Sequence, residues 1–241
     1  MGSLPSLDGV REQLYTWIRS DEFSCLAGKA SVRKGILHCV EVGEMGAEDS
    51  TQALYTALGD FVHHRLTPTE NFQTLVAVFS GPLDVPESEF EKILWQQLAD
   101  LHEMDREFHD WAPDVAADPD SEEFGFSLVG HPFFVVGLHN RSSRITRRFP
   151  RPALAFNSHH QFRRLKENGT FEGLKQKIRE RETRLQQSIN PNLADFGEAS
   201  EARQYSGRAV EPTWMCPIFP PGHPPVRDEE HGTTVRAGVD K

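Results

Sequence analysis

The sequence predicts a single α/β or α+β domain in which a central mixed β-sheet is flanked by helices. Three observations favour this fold class. Short apolar runs typical of buried strands are mixed with longer segments that carry apolar residues at helical spacing. The chain of 241 residues is long enough for one domain with a substantial core. We expect this domain to span residues 1–219, and the Pro-, Gly- and charge-rich residues 220–241 to form a disordered tail.

Four segments carry apolar residues along one helical face. The predicted helices cover Leu7–Ile18, Ala53–Leu66, a segment from Glu87 to just before Trp111, and His159–Gln187 with an interruption near Asn168–Gly169. The last of these is mostly polar and carries only a narrow apolar stripe. All four are expected to pack one face against a core.

Four short apolar runs predict the strands. They are Thr74–Phe79, Phe126–Val129, Phe133–Leu138 and Ala153–Phe156. Each is rich in β-branched or aromatic residues, as strands buried in the centre of a sheet are. An acidic loop, Asp114–Glu123, precedes the last three.

Composition excludes several classes of function. A net charge of −10 argues against non-specific binding to nucleic acid, which requires an excess of Lys and Arg. No apolar run approaches the roughly 20 residues that span a bilayer, and the N-terminus lacks the pattern of a signal peptide. The three cysteines, Cys25, Cys39 and Cys216, indicate neither a disulfide framework nor a zinc site. The expected protein is soluble and cytoplasmic.

The most informative candidate is His139, where the apolar run FFVVGLH enters the basic segment NRSSRITRRF. A residue at the carboxyl end of a strand faces the crevice in which α/β proteins usually bind ligands. A neutral imidazole there could ligate a metal or heme iron, or act as a general base. The alternative is that His139 only caps the strand by hydrogen bonding to the backbone.

Two further histidines, His159 and His160, follow the next predicted strand. They are expected to reach the same edge of the sheet as His139, with at most one of the two facing the site, because adjacent side chains diverge. His131 begins its strand and is expected at the opposite end from His139.

Arginines and a polar segment supply the remaining candidates. Four guanidinium groups lie within eight positions, at Arg141, Arg144, Arg147 and Arg148. Such a cluster could hold heme propionates or a substrate carboxylate, or could be a solvated face. Residues 190–208 are polar and could line a site or form a surface loop. Cys216 could give a thiolate to iron, although a buried thiol is the simpler expectation.

Several catalytic motifs are missing from the sequence. It contains no dinucleotide fingerprint after a strand, no phosphate-binding loop, no zincin motif and no nucleophile elbow. These reaction classes therefore have no support.

The chain resembles the YqcI/YcgG family in three ordered segments. They read GHPFFVVGLHNRSSRITRRFPRPALAFNSHHQF, IRERETRLQQSINPNLADFGEASEARQYSGR and WMCP, with a weaker extension in FEKILWQQLADLHEMD. Members of this family have been linked to heme-dependent N-oxygenation, including guanidine N-hydroxylation of arginine-like amino acids. The resemblance therefore implies a heme-dependent oxygenase that acts on an amine or guanidine nitrogen.

The resemblance also implies roles for individual residues. The histidines of the family's GLHP and FNPHxQF motifs correspond to His139 and His159, while Asn140 and Ser158 stand where proline is common. His139 first, and His159 second, would ligate heme iron. The propionates or the substrate carboxylate would pair with Arg144, Arg147 and Arg148. The cationic substrate would be held by a carboxylate, Glu198 or Glu201, in a catalytic segment that also contains Arg203.

The implied reaction needs dioxygen or peroxide. It also needs an external electron donor such as a reductase, because the chain has no flavin or nicotinamide motif. Two alternatives remain at this point. One is a non-heme metal enzyme that uses His139, His159 and a carboxylate, and the other is a heme- or ligand-binding protein without catalytic activity.

Overall fold

A computed structural model describes residues 7–188, 192 and 198–217. Within them, a five-stranded mixed sheet is flanked by six helices in a single α+β domain. In chain order the elements are α1 (Leu7–Arg19), α2 (Leu26–Lys34), β1 (Leu37–Glu44), α3 (Glu48–Asp60), β2 (Thr74–Gly81), α4 (Glu87–Asp105), β3 (Phe126–Leu128), β4 (His131–Leu138), β5 (Ala153–Ser158), α5 (His159–Glu167) and α6 (Thr170–Gln186). The predicted fold class is confirmed.

The strand order is β1-β2-β5-β4-β3. Strands β1 and β2 are parallel, and the other neighbouring pairs are antiparallel. The central strands β2, β5 and β4 align their residues in rows. Val76, Ala155 and Val136 form one such row, and Thr74, Asn157 and Phe134 form another.

The two faces of the sheet are packed differently. One face and helices α3 and α4 enclose the larger apolar core, which includes Phe79, Trp95 and Phe133. The other face carries a smaller cluster beneath α1 and α2, which includes Leu14, Val76 and Phe149. Helices α5 and α6 complete this second side, and the space beneath them is not filled by side chains.

The four predicted helices and four predicted strands are present, with shifted ends. The predicted break near Asn168–Gly169 is confirmed, since Gly169 adopts a φ of +72° between α5 and α6. Helix α3 begins at Glu48 and continues into a π-helical turn, Phe61–Arg65.

Two elements were not predicted, α2 and β1. Strand β1 lies at the edge of the sheet and reads LHCVEVGE, so it lacks the continuous apolar run of a central strand. The tail predicted for residues 220–241 lies outside the described residues. No helix among the described residues has both the length and the apolar character needed to cross a membrane.

Candidate functional site

A cavity of about 340 Å³ lies on the second face of the sheet, beneath helices α1, α2, α5 and α6. Its floor is made by the two rows of side chains described above, Val76–Ala155–Val136 and Thr74–Asn157–Phe134. The volume lies at the lower end of the roughly 300–1,000 Å³ typical of small-molecule sites. A continuous space over three central strands is the strongest candidate for a site in the described residues.

The walls of the cavity are mainly apolar. Helix α1 and the turn after it contribute Leu14, Trp17, Ile18 and Phe23, and helix α6 contributes Phe171, Leu174 and Ile178. These rings and aliphatic chains favour a ligand with a large apolar surface.

His159 places an imidazole in the wall of this cavity. It is the first residue of α5, directly after β5, so the turn from strand to helix fixes its position. The residue is 8% exposed, and its Nε2 lies 3.0 Å from Oε1 of Glu201. Gly125 makes room for the ring, since a Cβ at this position would lie 3.1 Å from Nε2.

Glu201 is a buried carboxylate at the same cavity, 4% exposed. The hydroxyl of Tyr205 donates to the same Oε1 at 2.6 Å. Burial raises the pKa of Glu201, although the hydrogen bonds from His159 and Tyr205 act in the opposite direction. His159, Glu201 and Tyr205 thus form one chain of hydrogen bonds, which we call the cavity triad; His159 and Glu201 line the cavity, and Tyr205 lies behind them in the larger core.

Arg147 ties this segment to the sheet. Its guanidinium donates to the carbonyl oxygens of Gly137 (3.1 Å), Tyr205 (3.2 Å) and Gln204 (3.1 Å). The Gly137 amide also donates to the Tyr205 carbonyl at 2.7 Å. Burial lowers the pKa of Arg147 to about 10. Arg147 lines the cavity, and its hydrogen bonds hold the turn Glu201–Gln204 against β4.

Other charged groups also line the cavity. Lys166 of α5 is exposed, and Lys175 and Arg179 of α6 are half-buried. Glu182 brings a negative charge, which is paired with Arg144 at 3.3 Å. The cavity therefore combines apolar walls with cationic side chains on two neighbouring helices.

His139 lies elsewhere. Its side chain stacks on Phe90 of α4, with ring centroids 4.2 Å apart, so it belongs to the opposite face of the sheet from the cavity. It is 1% exposed, and its ring nitrogens have no hydrogen-bond partner among the described residues. Burial lowers the pKa of His139 to about 4.

The prediction that His139 and His159 share one edge of the sheet is wrong. Strands β4 and β5 are antiparallel, and Ser158 pairs with Phe133 at the start of β4. His139 follows six residues later, so the two histidines are about 20 Å apart along the strand direction. A metal site that needs both imidazoles has no support from this geometry.

His131 lies at the opposite end of β4 from His139, as predicted. Its Nε2 lies 2.8 Å from the Ser158 hydroxyl, and its ring contacts that of His160, which pairs with Asp114 at 3.1 Å. Burial lowers the pKa of His131 to about 3. In the described part of the chain, no group of three or more His, Cys, Asp or Glu side chains is placed to hold a metal ion.

The remaining predicted arginines lie outside the cavity lining. Arg144 donates to Glu182 and to the Ser188 carbonyl, and Arg148 is exposed and donates to the Ser142 carbonyl. Arg203 stacks over the ring of Trp214 and donates to its carbonyl at 3.2 Å. Of the four clustered arginines, Arg141, Arg144, Arg147 and Arg148, only Arg147 lines the cavity.

Glu198 and Cys216 also lie outside the cavity lining. Glu198 is exposed. Cys216 is buried in the larger core, on the side of α3 and α4. Among the predicted catalytic residues, only Glu201 contributes to the cavity.

Sequence reasoning missed several residues of this site. They are Tyr205, the cations Lys166, Lys175 and Arg179, and the apolar wall from α1. One available signal was the i,i+4 spacing of Glu201 and Tyr205, which places a phenol one turn from a carboxylate. The others depend on how the helices pack over the sheet.

The described residues form a single α+β domain with a mostly apolar cavity, whose wall carries a histidine–carboxylate pair and cations, and this cavity is a candidate site for a small molecule. The chain belongs to the YqcI/YcgG family, whose model matches residues 14–219.

Two relatives from Bacillus subtilis (strain 168) are similar to it over most of their length. One is described as uncharacterized protein YcgG, 24% identical over 221 residues, with 83% of this chain and 86% of that one covered. The other is described as uncharacterized protein YqcI, 25% identical over 214 residues, with 83% and 82% covered. No solved structure matches the chain.

Proposed function

We propose that this protein is a heme-dependent oxygenase that hydroxylates a nitrogen of an amine or guanidine substrate resembling an amino acid. An arginine-like molecule is the first substrate to test. The observation that carries the proposal is the position of His159 in the wall of an apolar cavity, with its Nε2 bonded to a buried carboxylate.

The residues of the cavity fit the chemistry of heme. A porphyrin is a flat apolar ring with anionic propionates and an iron that accepts a neutral imidazole. The cavity offers aromatic and aliphatic walls, one imidazole and several cations.

His159 is the residue that would hold the iron. Metal-ligating histidines usually donate their second ring nitrogen to a carboxylate or carbonyl, which fixes the ring. Glu201 accepts from Nε2 in this way, so Nδ1 is the nitrogen that would face a metal. His139, which stacks on Phe90 on the other face of the sheet, lacks such a carboxylate and does not line the cavity.

Anionic groups of cofactor or substrate would pair with the cations on α5 and α6. Lys166, Lys175 and Arg179 line the cavity, whereas Arg144 and Arg148 are bonded elsewhere. Arg147 would act mainly by holding the turn that carries Glu201, since its guanidinium already donates to three carbonyls.

When bound, heme would supply the activation of dioxygen or peroxide and the transfer of one oxygen atom to nitrogen. With dioxygen, two electrons must come from an external donor, and the second oxygen atom leaves as water. The apolar walls would exclude bulk water, and His159 would stay in one orientation through Glu201. These are the tasks that the chain's own residues would perform.

Heme reconstitution followed by visible absorption tests the binding half of the proposal. The wild type should bind heme with a Soret band. His159→Ala should weaken retention by roughly a hundredfold, corresponding to about 2.7 kcal/mol. His139→Ala should leave the Soret position unchanged. A wild type without a Soret band, or a band lost only in His139→Ala, would contradict the assignment.

Turnover distinguishes an oxygenase from a protein that only binds heme. Heme-loaded protein should be incubated with reductant, dioxygen and arginine, lysine or related amines, and products analysed by mass for the addition of one oxygen atom. Heme binding without any hydroxylated product from this panel would favour a non-catalytic role.

A further inference from the structure

We infer that Glu201 and Tyr205 are positioning residues for His159, and that their shared hydrogen-bond chain fixes which ring nitrogen carries the proton and where the imidazole points. The importance of this chain for oxygenation rests on the function proposed above. The inference about the imidazole itself concerns the protein without any added ligand.

Tyr205 and His159 share one oxygen of the Glu201 carboxylate. Oε1 of Glu201 accepts from Tyr205 at 2.6 Å and lies 3.0 Å from Nε2 of His159. An ionised carboxylate is only an acceptor, so the proton of this second contact belongs to Nε2. Nδ1 of a neutral His159 is then the nitrogen with the lone pair.

Tyr205 is itself held in place. Its ring stacks on Trp95, with centroids 5.4 Å apart and planes at 16°. Its hydroxyl accepts from the Phe126 amide at 3.1 Å, and its carbonyl accepts from the Gly137 amide. The proton of the Tyr205 hydroxyl has two acceptors within reach, Oε1 of Glu201 at 2.6 Å and the Phe133 carbonyl at 3.2 Å. The shorter and charge-assisted contact is the one to Glu201.

The Glu201 carboxylate has little freedom to move. Glu201 is 4% exposed and lies on a short 3₁₀ turn, Glu201–Gln204, which Arg147 anchors to β4. Gly125 leaves space at Nε2 that a larger residue would fill. The imidazole is therefore held at Nε2 by a buried carboxylate that is itself fixed, as a metal ligand or a catalytic base would need to be.

The two positioning residues should have opposite effects on the hydrogen bond to His159. Replacing the carboxylate by an amide in Glu201→Gln keeps the acceptor oxygen but removes its charge, so the bond weakens. Removing the competing donor in Tyr205→Phe leaves Oε1 to His159 alone, so the bond strengthens. A residue with a merely structural role would not produce this reversal of sign.

The chain offers a matched control in a second set of the same residue types. The hydroxyl of Tyr55 lies 3.1 Å from Oδ1 of Asp105, which also lies 2.8 Å from Nδ1 of His109. This set, which we call the outer triad, does not line the cavity. Tyr55→Phe therefore removes an equivalent hydrogen bond without touching His159.

Nuclear magnetic resonance of the full chain, labelled with ¹⁵N in its histidine rings and without heme, tests the inference. In the wild type, a hydrogen-bonded ring proton should give a downfield resonance that correlates with Nε2 of His159. This resonance is assigned by its absence from the spectrum of His159→Gln. It should move upfield in Glu201→Gln, move further downfield in Tyr205→Phe and disappear in Glu201→Leu. Tyr55→Phe should leave it unmoved.

Three results would overturn the inference. They are a bonded proton on Nδ1 in the wild type, a resonance that survives in Glu201→Leu, and a shift in Tyr205→Phe no larger than in Tyr55→Phe. The first is measured on the wild type, so it does not depend on whether any variant folds. Because no heme is present, these results are independent of the Soret experiment that tests the proposed function.

Discussion

The cavity triad and the outer triad contain the same three kinds of side chain in nearly the same arrangement. In the cavity triad, one oxygen of Glu201 is shared by His159 and Tyr205 at 3.0 and 2.6 Å. In the outer triad, one oxygen of Asp105 is shared by His109 and Tyr55 at 2.8 and 3.1 Å. A carboxylate oxygen shared by a tyrosine and a histidine is common to both, although the histidine contributes Nε2 in the cavity triad and Nδ1 in the outer triad.

The surroundings do distinguish them. The second oxygen of Asp105 accepts from the Val129 amide at 2.9 Å, so the outer triad joins α3 and α4 to the turn after β3. The side chain of His109 is 32% exposed at the surface. The cavity triad instead borders about 340 Å³ of space. A tyrosine–carboxylate–histidine set is thus a structural clamp in one place and a candidate site in the other.

The largest expected difference between the triads is in stability. In Asp105→Asn, one carboxylate oxygen becomes an NH₂ group, which cannot accept a hydrogen bond. In one orientation the buried Val129 amide loses its acceptor, and in the other orientation Tyr55 and His109 lose theirs. The substitution should lower the free energy of unfolding by about 3 kcal/mol. Glu201→Gln keeps an acceptor oxygen and removes a buried negative charge. Because burial raises the pKa of Glu201, that charge is unfavourable in the folded protein, and the substitution should cost under about 1 kcal/mol of stability.

Urea unfolding of the two variants at pH 7 measures this difference. The account of Asp105 as a clamp would be wrong if Asp105→Asn were as stable as the wild type. A large loss in Glu201→Gln would show that the cavity triad is also needed for folding.

His139 can be compared with the histidines of the two triads, because it is a buried histidine without a carboxylate partner in the described residues. Its pKa is lowered to about 4 in the folded protein, against about 6.5 when unfolded. Its contribution to stability is therefore complete above pH 6.5 and decreases as the pH falls towards 4, by on the order of 3 kcal/mol.

The measurement is the urea midpoint across pH 4–7 for the wild type and His139→Leu. The variant should lose less stability on acidification. Parallel pH profiles would contradict the assignment of this loss to His139.

Removing the hydroxyl of either tyrosine should lower the free energy of unfolding by less than Asp105→Asn does. Tyr205→Phe leaves the buried Phe126 amide without its acceptor and should cost about 1.5 kcal/mol. Tyr55 is half-buried, so Tyr55→Phe should cost about 0.5 kcal/mol. Thermal unfolding of the two variants measures which one loses more stability. A larger loss in Tyr55→Phe than in Tyr205→Phe would contradict the prediction that the more buried hydroxyl contributes more.

Gly125→Ala should lower the free energy of unfolding by an amount between the effects of the two tyrosine substitutions. The new Cβ would lie 2.8 Å from Cγ1 of Val115 and 3.1 Å from Nε2 of His159, so the side chains must shift at a cost of about 1 kcal/mol. Displacement of His159 should weaken heme binding about tenfold.

Gly59→Ala is the control for this substitution, because no atom lies within 4 Å of the added methyl group. It should stabilise α3 by about 0.5–1 kcal/mol without changing heme affinity. Equal heme affinity in Gly125→Ala and Gly59→Ala would show that the contact with His159 does not matter.

Much of the fold could be predicted from the sequence because the central strands are continuously apolar. Strands β2, β4 and β5 follow this pattern, whereas β1 is an edge strand with polar positions such as His38 and Glu41 and was missed. Apolar patterns carry no information on strand direction. The antiparallel pairing of β4 with β5, which separates His139 from His159, therefore could not be predicted.

The candidate site was predicted only in part for the same reason. His159 and Glu201 were identified as reactive residue types, yet they are 42 positions apart and their contact depends on the turn that Arg147 holds against β4. The cavity depends on how α1 and α6 pack over the sheet, which side-chain patterns do not specify.

Blocking the cavity tests most directly whether it is the ligand site. Ala155 lies in the middle of the floor, between Val76 and Val136. Heme should be titrated into the wild type and Ala155→Trp while the Soret absorbance and the urea midpoint are followed. We predict that the folded variant binds heme about a hundredfold more weakly. Unchanged affinity in a folded Ala155→Trp protein would contradict the account.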